Sequence, residues 1–129
     1  MFLFIIAGIA TGCKKEVGEN RSLKKKMLGK WQLEKLEITT AGADPVITVG
    51  TATDYVDFKD NEDDQIEMNV GTTHSLGTYA TLADNTFNVS ISGKLLQCVV
   101  NSITDNKLEF TGTRDKSNPT VTEKYTLTR

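Results

Sequence analysis

Gln65-Ile-Glu-Met-Asn-Val70 and Phe87-Asn-Val-Ser-Ile91 place an apolar residue at every second position. Side chains on a β-strand point alternately to opposite faces, so this period predicts one buried face and one wet face. An amphipathic helix would repeat at three and four residues instead. The pattern continues outward from these two segments. Upstream, Val56 and Phe58 alternate with Tyr55 and Asp57. Before them Trp31, Leu33, Leu36 and Ile38 form a further strand, with a phase slip at Glu34-Lys35 that predicts a β-bulge. A long loop, Thr39 to Thr53, separates the two. Downstream, His74, Leu76 and Thr78 follow Gly71, and Leu96, Cys98 and Val100 follow the turn at Ser92-Gly93-Lys94. Leu108 and Phe110 come after Thr104-Asp105-Asn106-Lys107, and Tyr125 and Leu127 end the chain after Asn118-Pro119.

The class is therefore all-β, with eight strands nearly all in hairpin order. Eight antiparallel up-and-down strands with one apolar face close into a barrel, which removes the exposed edges. A barrel of that size is either just filled by its own side chains or holds one small ligand. The inward candidates are bulky: Trp31, Leu33, Phe58, Ile66, Met68, Phe87, Val89, Ile91, Leu96, Phe110 and Leu127. They predict a filled core or a small pocket. A short helix opens the domain: Ser22 can cap Leu23-Lys-Lys-Lys-Met-Leu28, and Gly29 can end it. The barrel domain is expected over residues 23–129.

Before it comes the apolar run Phe2 to Ala10. It is shorter than the roughly 20 residues a membrane span needs, and it has the length of a signal-peptide core. A charged, Gly-containing stretch follows at once, which argues against a buried strand. The tetrad Ala10-Thr11-Gly12-Cys13 resembles the lipobox of bacterial lipoproteins. That resemblance implies removal of residues 1–12 as a signal peptide and lipidation of the Cys13 thiol. It makes the protein a lipoprotein of the bacterial cell envelope, held at the outer membrane by its lipid. Residues 13–22 then form a lipidated, flexible tether. Cys98, in the apolar stretch Leu95 to Val100, is left as a lone thiol and is expected to be a buried small hydrophobe.

Residues 14–35 hold eight Lys/Arg and three Glu, and residues 36–129 hold seven Lys/Arg and fourteen Asp/Glu. The basic end would lie beside anionic head groups, and the acidic body argues against nucleic-acid binding.

Leu28-Gly29-Lys30-Trp31-Gln32-Leu33 resembles the Gly-x-Trp opening of lipocalin-like domains. Tyr55-Val-Asp-Phe58, Gly77-Thr-Tyr79, Asp84 to Ile91, Ile103 to Phe110 and Glu123 to Arg129 are similar, in order and spacing, to the lipocalin-like lipoproteins common in Bacteroidetes. The resemblance covers residues 28 to 129 and implies a calycin-like barrel. It also implies that Trp31, on the first strand, packs under Arg129 and closes the barrel base as a structural pair.

The acidic run Asp60-Asn61-Glu62-Asp63-Asp64 resembles half a calcium loop, but Gln65 and Gly71 stand where such a loop needs Gly and Glu. It is read as a solvated turn. His74 is the only histidine and has no ligand partners at zinc-site spacing. No metal site, cofactor or catalytic constellation is expected, and the protein is not read as an enzyme. The expected function is binding: a small apolar ligand in the barrel mouth or an envelope protein on its rim. Tyr55, Met68 and Tyr79 are the pocket candidates, as aromatic or adaptable residues near loop ends. The alternative is a structural or accessory subunit of an outer-membrane complex, with a filled, non-binding barrel.

Overall fold

The computed structural model describes residues 22–129; the predicted signal segment, Cys13 and the tether up to residue 21 lie outside the described residues. The first element is the helix α1 (Leu23–Met27), whose Ser22 side chain accepts a hydrogen bond from the Lys25 amide. Gly29 then turns the chain at φ +114°, a left-handed conformation open to glycine.

Nine strands follow: β1 (Gly29–Thr40), β2 (Val46–Val49), β3 (Tyr55–Phe58), β4 (Gln65–Val70), β5 (Thr73–Thr81), β6 (Thr86–Ile91), β7 (Lys94–Ile103), β8 (Lys107–Arg114) and β9 (Val121–Thr128). From β3 to β9 each pairs antiparallel with the next, β3 pairs with β1, and β9 returns to β1. Eight strands thus close a barrel, as the alternation predicts. The short β2 is the addition, lying inside the stretch expected to be a loop. It pairs with Lys35–Ile38 of β1 and has no second partner among the described residues.

β1 makes this arrangement possible. Its first half pairs with β3 and its second half with β2, while its other edge carries β9 along nearly its whole length. Thr126 faces Lys35 but Leu127 faces Leu33, so Glu34 is the extra residue of a bulge at the predicted phase slip. The bulge lets Leu33 and Leu36 both point inward.

All eleven predicted inward residues are buried. Phe58, Phe87 and Phe110 meet edge to face with centroids 5.0–6.5 Å apart, and Tyr125 stacks on Phe110 at 4.8 Å. On β5 the inward face differs from the apolar spacing of the sequence. Ser75, Gly77 and Tyr79 point inward, and Leu76 is 54% exposed. Register decides this, because Gly77 lies opposite the inward Ile66. Gly77 also allows a close approach of β6: a Cβ there would sit 2.2 Å from the Ser90 carbonyl oxygen.

One end of the barrel is sealed. Met27 of α1 is fully buried, and the Trp31 indole Nε1 donates to its carbonyl at 2.8 Å. The Arg129 guanidinium lies 3.8 Å over the Trp31 ring and donates to the Leu28 and Lys26 carbonyls. Cation–π contact adds about 0.5–2 kcal/mol, the larger value where water is excluded. A double-mutant cycle of Trp31→Leu and Arg129→Met, followed by urea denaturation, should give a coupling of about 0.5–2 kcal/mol. Arg129→Met alone should lose more, since the carbonyl contacts go with it.

Candidate functional site

The opposite end is not sealed. The β4–β5 hairpin turns back at Gly71-Thr72, while β1 continues to Thr40 with β2 and β9 beside it. The mouth therefore has a high wall and a low wall. Between them lies a cavity of about 260 Å³. Leu36 and Ile38 from β1, Met68 and Val70 from β4, and Ile91 from β6 supply its apolar side. Val46 pairs with Ile38 and so continues this side outward as a lip, 66% exposed.

The polar side is lined by Lys94 of β7 and by Glu123 and Tyr125 of β9, while Arg114 of β8 meets Glu123 from behind the cavity wall. Glu123 is inward on β9 with 1% of its side chain exposed. Its Oε2 accepts from Lys94 Nζ and from Arg114 Nε, both at 2.7 Å, and its Oε1 accepts from the Tyr125 hydroxyl at 2.7 Å. Burial alone pushes a carboxyl pKa up; the hydrogen bonds from Lys94, Tyr125 and Arg114 outweigh it and hold Glu123 below its ordinary value. Burial, with Glu123 beside it, raises the Tyr125 phenol well above its usual range. Burial also pushes the Cys98 thiol up to about 12, with the Glu123 charge adding to it.

The three pocket candidates do not converge. Met68 lines the cavity, with its sulfur 3.8 Å from the Tyr125 hydroxyl. Tyr79 is packed lower in the barrel against Phe58, its hydroxyl donating to the Lys59 carbonyl at 3.2 Å. Tyr55 lies on the outer side of β3, with the Lys30 ammonium 4.1 Å from its ring centroid. The residues that sequence reasoning passed over are Glu123, Lys94 and Arg114. The signal existed: in Glu123-Lys-Tyr-Thr-Leu127 the period of two puts a carboxylate on the same face as Tyr125 and Leu127.

Two other polar features face outward. Glu67 bonds His74 and lies 3.0 Å from Lys59; these contacts, His74 first, bring its carboxyl down to about 2. An open trough of about 530 Å³ runs past Lys30, Gln32 and Tyr55 on the outer surface. Its carboxylate, Asp54, is committed to the backbone amides of Thr51 and Gly71, both at 2.9 Å. Among the described residues, no three His, Cys, Asp or Glu side chains gather as a metal site. With its buried carboxylate already spent on the Thr51 and Gly71 amides, the trough is the poorer site and the mouth the better one.

No protein-family model matches the chain, and no curated protein matches it.

Two measurements check this geometry. A carboxyl with a lowered folded pKa adds stability above its unfolded pKa of about 4.3, and that stability is lost as pH falls through the folded value. Glu123→Gln should therefore flatten part of the acid limb of the stability curve, leaving the part due to Glu67. The Cys98 thiol should resist an aromatic disulfide reagent at pH 8 in the native protein and react fully in urea, because the thiolate is the nucleophile.

Proposed function

We propose that the protein is a lipid-anchored lipoprotein of the bacterial envelope whose barrel binds a small, largely apolar ligand in its open mouth. One observation carries the binding reading: the apolar cavity of about 260 Å³ with a satisfied polar cluster on one side. Ligand sites combine apolar walls with a few placed polar groups. The volume lies just under the usual range of about 300–1,000 Å³, so the ligand is small or leaves part of itself on the Val46 lip. The lipocalin-like motifs support the same reading. The lipoprotein reading rests on Ala10-Thr11-Gly12-Cys13. The tether would meet the barrel at α1, on the sealed end, so the mouth would face away from the bilayer.

A second reading has its own observation. β2 leaves one edge unpaired among the described residues, with Val46, Ile47 and Val49 all more than half exposed. Such an edge suits an accessory subunit that docks a neighbouring protein by strand pairing.

Cys13→Ala should abolish labelling by an alkyne fatty acid and move the protein from the membrane to the soluble fraction. A small apolar compound that binds the mouth should stabilise the fold by about 2.7 kcal/mol at a hundred times its Kd. Ile38→Trp, which fills the cavity, should remove that stabilisation. If wild type and Ile38→Trp respond alike to a panel of such compounds, the mouth is not the site.

A further inference from the structure

The polar cluster has donors to spare and almost no acceptors. Lys94 Nζ carries three N–H donors and spends one on Glu123, and Arg114 spends its Nε there. Among the described residues, no further acceptor is bonded to Lys94 Nζ or to the two terminal nitrogens of Arg114. Both carboxylate oxygens of Glu123 are already engaged. Two cations therefore face one carboxylate, which leaves one positive charge unbalanced. Lys94 and Arg114 occupy inward positions at the rim, each with about a third of its side chain exposed (31% and 33%). Glu123 beneath them is sealed from water and pins both cations in place. Across the mouth stand Leu36, Ile38 and Val70.

We propose that the mouth takes an amphipath with an anionic oxygen head group. The head is held by Lys94 at the cavity wall, with the Arg114 charge behind it, and a short apolar tail lies against Leu36, Ile38, Met68 and Val70. This rests on the binding reading above and adds the ligand's charge. A cationic head would have to compete with two built-in cations for a carboxylate whose oxygens are filled. An uncharged head would leave the surplus donors to water. An anion instead gains a charge-assisted hydrogen bond from the Lys94 ammonium, already oriented at the cavity wall, and attraction from the Arg114 charge behind it. The acidic balance of the body does not reverse this. Glu37, Glu67 and Glu109 stand on outward strand positions, where salt screens charges beyond about 8 Å.

The test uses four probes with one tail: octanoate, octyl phosphate, octylamine and octanol. Binding to the full chain carrying Cys13→Ala would be measured by titration calorimetry below the probes' aggregation limits. At least one anion should bind about tenfold tighter than octanol and octylamine, and the better of the two anions identifies a carboxylate or a phosphate head. That preference should shrink as salt rises. Glu123→Gln keeps the side-chain size and removes the competing negative charge, so it should raise the anion's affinity several-fold. Lys94→Gln should lower it about tenfold. If octanol or octylamine binds as tightly as the anions, or if Glu123→Gln weakens anion binding, the head-group assignment is overturned and the apolar mouth stands. If none of the four probes binds, the assignment and the binding reading fall together.

Discussion

Closure of the barrel depends on one constraint: β1 must satisfy different neighbours along its two edges. On one side β9 runs beside it for eight paired positions, and on the other β3 and β2 share its length. A strand with unbroken alternation would turn Leu33 or Leu36 outward. The extra residue at Glu34 keeps both inside and sharpens the local twist. Everything on the rim then follows from β1 rising past the β4–β5 turn, including the high wall and the exposed β2.

The interior is divided by depth. Near α1 the aromatic rings, Trp31 and Met27 fill the barrel, and the Arg129 guanidinium covers Trp31 from outside. Each truncation there would remove dispersion contacts as well as apolar burial, a loss of about 3–5 kcal/mol for a large aromatic. At the mouth, β5 lines the cavity with Thr73 and Ser75, where larger side chains would close the space. The cavity therefore exists because β5 is thin on its inner face, while β1 and β4 stay apolar. Small residues on one strand set the volume, and bulky ones opposite set its character.

A buried carboxylate in such a place is costly unless paired and hydrogen-bonded. Glu123 meets that condition with two cations and a phenol. The consequence reaches beyond its own satisfaction. By holding Lys94 and Arg114 against the rim, it limits the rotamer freedom of two long side chains before any ligand arrives, and an ordered donor loses less entropy on binding than a free one. Burial, with the same carboxylate adding to it, depresses thiolate formation at Cys98, so the one described cysteine is inert packing below a charged layer.

Much of this was legible in the chain. Period-two alternation marked the inward residues of β3, β4 and β6, and the phase slip marked the bulge, because side-chain direction along a strand is a local property. The pairing of Trp31 with Arg129 followed from a motif resemblance. Local pattern failed where register decided the outcome. Leu76 looks like a core residue, yet Gly77 is inward because it faces Ile66. Val46 to Val49 reads as loop, since a strand of four residues between turn signals has no period to display, and only the free upper edge of β1 makes it a strand. Tyr55 and Tyr79 were grouped by residue type, but one faces solvent and the other the core. The Glu123 cluster needed three strands brought side by side. The sequence by itself determined the class, the alternation and the composition of the core. The closed ring decided which residues of β7, β8 and β9 meet at the mouth, because charge pairing there joins positions far apart in the chain.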